Sequence, residues 1–319
     1  MKSRTNNGLR WLIFARTRCS RARSLNGIRF PQSTFEISTT PKVKLKTTSA
    51  LHLYLTASMA VAALIAGGVL TRGMTPACPQ SAKQAPPNVQ ALGVALVPEF
   101  EGSSNRSVAP ALVGRLVIGC TTLRLLGDSA QWSLLPANSP WALGPVLSLR
   151  SPRDEDVKDA VVKRLRPIDV NAGAGLFAKH CWSGLANPSD NPTAGFELAG
   201  GKSGAQARVS LGYQWQAAPG LRVNTSTHVG GESAKYQQTY VDVDADNVAR
   251  SGLPRFAGER GDDEVGLAMS ASYEVSRDGL LIGRLQVARL VGDAGGSPMV
   301  TLRGDRNQNT LVLAVGRSF

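Results

Sequence analysis

The stretch Ala207–Val229, ARVSLGYQWQAAPGLRVNTSTHV, constrains this chain more than any other. Ala207, Val209, Leu211, Tyr213 and Trp215 alternate with Arg208, Ser210, Gly212 and Gln214. After Gln216–Gly220 the pattern resumes, with Leu221, Val223, Thr225, Thr227 and Val229 against Arg222, Asn224, Ser226 and His228. Successive side chains of a strand point to opposite faces, so two such runs joined by a Pro-Gly turn form an antiparallel hairpin with one apolar and one polar face. Nine residues at about 3.3 Å each reach roughly 30 Å, enough to cross the hydrocarbon of a bilayer when tilted. The expectation is a membrane-spanning barrel with apolar residues on lipid and polar ones on the lumen.

The same period recurs along the chain. Strands are expected at Ala91–Phe100, Pro110–Gly119, Thr121–Leu126, Gln131–Leu135, Trp141–Arg150, Val170–Lys179, Gly195–Gly200, Tyr236–Val243, Val265–Val275, around Leu281–Val287, and at Gln308–Phe319. With the opening hairpin this is an all-β chain, a transmembrane antiparallel β-barrel of about twelve strands. Arg153–Arg166 breaks the pattern: Val157, Ala160, Val161 and Leu165 recur at helical spacing, so a loop with a short amphipathic helix is expected there. Connections at 127–129, 216–220 and 276–279 are short, and those near 151–167, 244–264 and 292–307 are long. Short turns on one rim and long loops on the other are what an outer-membrane barrel shows, and Tyr213, Trp215 and Tyr273 sit where an interfacial aromatic girdle would be. Parity assigns Arg208, Arg222, His228, Glu274, Arg284 and Gln286 to the lumen. An Arg facing lipid at mid-depth would cost about 2–4 kcal/mol, and Arg289, which has lipid parity, lies near a strand end where the cost falls to about 0–1 kcal/mol. A soluble sandwich or lipocalin-like barrel would turn the apolar face inward; strand number, loop asymmetry and the aromatic rim weigh against it.

Charge is distributed unevenly. The formal net charge is +13, but residues 1–50 hold eleven Lys/Arg and a single acid, Glu36, whereas residues 78–319 are close to neutral. A near-neutral body has no electrostatic footprint for a phosphate backbone, which excludes a nucleic-acid partner. Residues 1–42 read as a basic extension. Within residues 43–77, Lys44 and Lys46 precede an apolar core at Leu55–Leu70 and the small-residue site Thr75-Pro76-Ala77, the layout of a cleaved secretory signal peptide. A core of about 16 residues is short for a transmembrane anchor. The internal placement of this signal raises the hypothesis that translation begins at Val43. Residues 78–90 form a linker, and 91–319 the barrel. Cys120 and Cys181 either pair in an oxidising compartment or remain thiols; no metal-type Cys spacing occurs.

The sequence offers little chemistry. Ser226, His228 and Asn224 share a face, but alternate strand residues lie about 6.6 Å apart, too far for a nucleophile–base hydrogen bond. Asp242, Asp244 and Asp246 hint at Ca²⁺ but lack the Gly and terminal Glu of an EF-hand loop. No catalytic, cofactor or metal residues are therefore assigned. The charge-dense run Arg153, Asp154, Glu155, Asp156 is either a loop epitope or a solvated loop.

Six segments carry a family resemblance: GVALVPEFEGS at Gly93–Ser103, GPVLSLRSPRDED at Gly144–Asp156, Ile168-Asp169, YQQTYVDV at Tyr236–Val243, ARSGLPRF at Ala249–Phe256, and RLVGDAGGSPMV at Arg289–Val300 with Arg306-Asn307-Gln308 behind it. Together, in this order, they resemble the MipA/OmpV family of Gram-negative outer-membrane proteins over about residues 90–319. The resemblance implies an outer-membrane barrel embedded in lipid, without a cofactor. It also implies a non-enzymatic scaffold role, bringing a lytic murein transglycosylase together with a murein synthase. A narrow passive channel for small solutes, or a surface adhesin, is the alternative. A terminal Phe319 on an alternating strand resembles the insertion signal of such barrels, with Arg317 a departure from it.

Overall fold

The computed structural model describes residues 87–319 apart from 185, 186 and 188. The basic extension and the signal segment lie outside the described residues. Twelve strands run in order: β1 (Val89–Pro98), β2 (Arg106–Ile118), β3 (Thr121–Leu126), β4 (Ser129–Ser133), β5 (Trp141–Arg150), β6 (Asn171–Cys181), β7 (Asn191–Gly201), β8 (Gly204–Ala218), β9 (Leu221–Glu232), β10 (Gly261–Glu274), β11 (Gly279–Leu290) and β12 (Asn307–Ser318). Each pairs with its sequence neighbours, and β12 closes on β1 from Val89↔Ser318 to Leu96↔Leu311, so the sheet is a closed antiparallel barrel. Closure leaves no open sheet edge, and backbone polar groups are satisfied within the wall.

The two faces separate as the alternation requires. Leu92, Val94, Val209, Leu211, Leu267, Leu285 and Leu313 are exposed, Leu92 by 68%. The opposite face carries Gln206, Arg208, Ser210 and Gln214 on β8, paired across from Glu232, Gly230, His228 and Asn224 on β9. Gly220, at φ +73°, makes the tight β8–β9 turn. Trp132, Trp141, Trp182, Tyr213 and Tyr273 are exposed near one rim. There Trp141 and His180 stack 4.3 Å apart, and His180 meets Trp182 at 4.5 Å.

Four expectations are corrected. Tyr236–Val243 is not a strand. It contains helix α1 (Ala234–Tyr240), started by Ser233, whose side chain accepts from the Tyr236 N–H. A helix places Tyr236 and Tyr240, four apart, on one face, and their rings lie 4.4 Å apart. The supposed loop 244–264 holds helix α2 (Ala245–Ser251), capped by Asp244 and closed by left-handed Gly252, and β10 already begins at Gly261. The turn at 127–129 joins the short strands β3 and β4 on the rim that carries the long loops, not on the opposite rim. Arg153–Arg166 forms only a short 3₁₀ turn at Val162–Arg164; of the expected apolar face Val157 and Leu165 are buried, Val161 is half-buried and Ala160 is exposed, and Val162 is buried in its place. Helices α3 (Gly292–Gly296) and α4 (Pro298–Thr301) lie in the β11–β12 connection. Cys181 carries a free thiol, so it does not pair with Cys120.

Candidate functional site

Four connections on the long-loop rim (99–105, 151–170, 233–260 and 291–306) meet in a lid. Phe100, Val157, Val162, Leu165, Val243, Leu253 and Met299 form one buried apolar cluster. Tyr236, Tyr240, Val241, Leu290, Ala294 and Val300 form a second, and Phe256 packs against both. Val243 is fully buried and Met299 is 1% exposed. Loops that remain in water cannot use lipid to cover apolar groups, so they bury them against one another.

Arg153 pins this lid. It is 6% exposed, and its Nη1 donates to the Tyr240 carbonyl at 3.1 Å beside the Met299 sulfur. Burial pulls its guanidinium down to about 10, which leaves it charged at neutral pH. Arg153 is therefore an anchor of the lid rather than part of a surface epitope. Glu155 and Asp156 are exposed, and the Asp154 carboxylate accepts from the Asp156 N–H at 3.0 Å.

Beneath the lid lies a polar layer rich in carboxylates. Tyr236, reaching down from α1, donates its hydroxyl to Glu101 Oε2 at 2.8 Å. The Arg150 guanidinium stands over the Tyr236 ring, 5.4 Å from its centre, and donates to Gln206 Oε1. The Gln206 amide donates to Glu232 Oε1 at 2.6 Å, and Gln237 Nε2 donates to Glu232 Oε2 at 2.9 Å. The register of β10 slips between Asp262 and Glu264, and Asp263 occupies the irregularity at 5% exposure. Glu101, Glu232 and Asp263 each offer an oxygen within 4.8 Å of the others, the arrangement in this layer that could hold a metal ion. Burial pushes the Glu101 carboxyl up, against the pull of Arg150; burial also raises the Tyr236 phenol.

One step further into the barrel, His228 Nε2 lies 2.6 Å from Glu264 Oε1, and Arg208 pairs with the same oxygen at 3.5 Å. His228 is buried against Gly266, where any Cβ would collide with the imidazole. Its partner is a carboxylate on the next strand, so the Ser226-His228-Asn224 face makes no catalytic pair. Arg284 donates to Gln286 at 3.1 Å. Arg222 borders a cavity of about 100 Å³ with Gln214, Asn224 and Ser270, and Glu274 ends β10 exposed. The Asp242–Asp246 trio is consumed by the lid's own structure. Asp242 accepts from the Gly258 N–H at 2.6 Å, Asp244 caps α2 and pairs with Arg166, and Asp246 pairs with Arg250 at 2.9 Å.

Sequence reasoning missed Glu101, Gln206, Glu232, Tyr236, Gln237 and Asp263, which the fold brings together from five separate segments. It also missed Arg115, Arg124 and Lys179. Arg115 and Arg124 are register partners on β2 and β3, and Lys179 is on β6. Among the described residues, none of Arg115, Arg124, Lys179, Arg222 and Arg284 has a carboxylate within 4.0 Å. The polar face of the barrel is thus acidic beneath the lid and carries uncompensated positive charge farther along.

Residues 91–319 match the family described as "MltA-interacting protein MipA". The chain belongs to the MipA family. Among solved structures, this family member is similar to an outer-membrane channel from Pseudomonas putida F1, at 11% identity and a TM-score of 0.40, covering 76% of this chain and 100% of that one. It is also similar to the NanC porin, at 8% identity and a TM-score of 0.36, covering 72% and 100%. A third is OprD from Pseudomonas aeruginosa, at 12% identity and a TM-score of 0.30, covering 77% and 73%. No curated protein matches the chain. The family and the twelve-strand closed wall make this an outer-membrane barrel protein.

Proposed function

We propose that this barrel is a non-enzymatic scaffold of the outer membrane that binds murein-remodelling enzymes, a transglycosylase and a murein synthase. The observation that carries this reading is the lid. Four connections share two buried apolar clusters over one rim, an arrangement suited to a stable display surface rather than to an open conduit. The family description, an MltA-interacting protein, supports a murein enzyme as partner. The polar residues of the candidate site form hydrogen-bonded and ionic networks, and none is arranged as a nucleophile–base pair.

A second reading, a narrow channel, draws on Arg115, Arg124, Lys179, Arg222 and Arg284: unpaired cations along a lumen would favour small anions. Two measurements on the detergent-purified protein separate the readings. Immobilised barrel should retain a purified murein transglycosylase, and planar bilayers containing the barrel should stay silent. A steady anion-selective current without transglycosylase binding would replace the scaffold with the channel.

A further inference from the structure

We propose that Glu101, Glu232 and Asp263 form a binding site for one hard divalent cation of the Ca²⁺ class, which ties the lid to the barrel wall. The site stands independently of the scaffold reading. Three observations converge on it. The first is spacing: one oxygen from each carboxylate falls within 4.8 Å of the others. Oxygens bound to one Ca²⁺ at 2.3–2.6 Å lie at most about 4.6–5.2 Å apart, so the cluster is compact enough for three carboxylates to share one ion.

The second is a set of buried oxygens left without partners among the described residues: Glu101 Oε1, Asp263 Oδ1 and Gln237 Oε1. Asp263 is 5% exposed and Gln237 1%. The Gln237 amide nitrogen rests on Glu232, so the side chain that carries this unpartnered oxygen touches the cluster. Buried polar atoms are almost always satisfied, and these orphans are all oxygens, the donors that hard cations take. His228, the nearest imidazole in the polar layer, is occupied by Glu264, so the set contains no soft ligand.

The third is charge. Arg150 directs its hydrogen bonds to Gln206 and its face to Tyr236, and among the described residues none of the three carboxylates has an ion pair within 4.0 Å. A divalent cation would neutralise two of the three negative charges, and the nearby Arg150 would offset the rest. A cleft of about 340 Å³, lined by Gln237, Glu259, Arg260, Asp262 and Asp293 among others, shares Gln237 with the cluster. Glu101 belongs to a lid loop, Glu232 ends β9, and Asp263 sits in the irregularity of β10, so one ion would join three segments.

Tb³⁺ is the probe, because the Tyr236 phenol touches Glu101 and can sensitise its luminescence. On the folded full-length chain in detergent, a saturable Tb³⁺ signal displaced by Ca²⁺ is expected. Asp263→Asn and Glu101→Gln should each weaken it by roughly tenfold or more. Limited proteolysis within 233–260 should be faster in EDTA than in Ca²⁺. Heat-modifiable gel mobility reports whether each variant still forms the barrel, and Glu101→Gln, on a loop outside the strands, keeps the test open if Asp263→Asn does not fold. The absence of a Ca²⁺-displaceable signal in the unaltered protein overturns the site. So does a signal that survives both substitutions; the carboxylates would then be held by shared protons.

Discussion

The lid and the wall of this barrel use the same apolar residue types in opposite ways. Val243, Val162 and Met299 in the lid are buried, while Leu92, Leu211 and Leu285 in the wall are exposed. The wall is held by its closed ladder of backbone hydrogen bonds, and its apolar side chains keep lipid against it. The lid has no ladder of that kind. It is assembled from short helices and turns and is held by hydrophobic packing in water, as a small soluble domain would be. One chain therefore contains two stabilities with different solvents, and they should fail separately.

Removing a lid side chain is the strongest way to break that comparison. Met299→Ala deletes the centre of the first apolar cluster and the sulfur beside Arg153, and a core truncation of this kind costs about 2–5 kcal/mol. The loss should appear as faster proteolysis and hydrogen exchange within 233–260 and 291–306, with heat-modifiable mobility unchanged. If the barrel unfolds along with the lid, the two stabilities are one. The converse change belongs to the wall. Leu211→Arg places a charge on the lipid face of β8 and should cost about 2–4 kcal/mol near the bilayer midplane. Gln214→Arg, on the other face of the same strand, should fold into vesicles nearly as well as the unaltered protein. Equal folding yields for the two variants would mean that Leu211 does not face lipid.

The contrast also explains what could be read from the sequence. The wall was legible because a period of two is local: Val209, Leu211 and Tyr213 declare their face without reference to any other strand. The lid was only partly legible. Val157 and Leu165 lie on the expected apolar face, but the helical spacing points to Ala160 and Val161 instead of the buried Val162, and nothing local says that these residues meet Val243 and Met299. The strand assignment at Tyr236–Val243 failed because YQQTYVDV is short enough to fit either period, and the deciding signal was the cap, Ser233, with Tyr236 and Tyr240 four apart. Asp244 and Gly252 marked the next helix in the same way. The carboxylate cluster was the least legible part. Glu101, Glu232 and Asp263 come from separate segments, and Asp263 joins them through a strand irregularity that parity cannot anticipate.

The smallest expected effect, a response of the lid to pH, sharpens the comparison because the wall should not share it. Glu101 is raised above its ordinary value of 4.5 mainly by burial. The folded lid then binds a proton more tightly than the open chain does. Its contribution to stability is complete below about pH 4.5 and is lost as pH rises through the raised value. Asp244 acts in the opposite sense. The Asn247 N–H and Arg166 hold it below its ordinary 3.8, so its contribution fails only under more acid conditions and leaves the range from 4.5 to neutrality to Glu101 and the carboxylates clustered with it. In EDTA, proteolysis within 233–260 should therefore quicken as pH rises from about 4.5 toward 7, and Glu101→Gln should make the profile shallower. Saturating Ca²⁺ should flatten it too, by favouring the ionised carboxylate that the rise in pH produces. A lid that tightens with rising pH in EDTA would show that Glu101 is not buried beneath it as the structure has it.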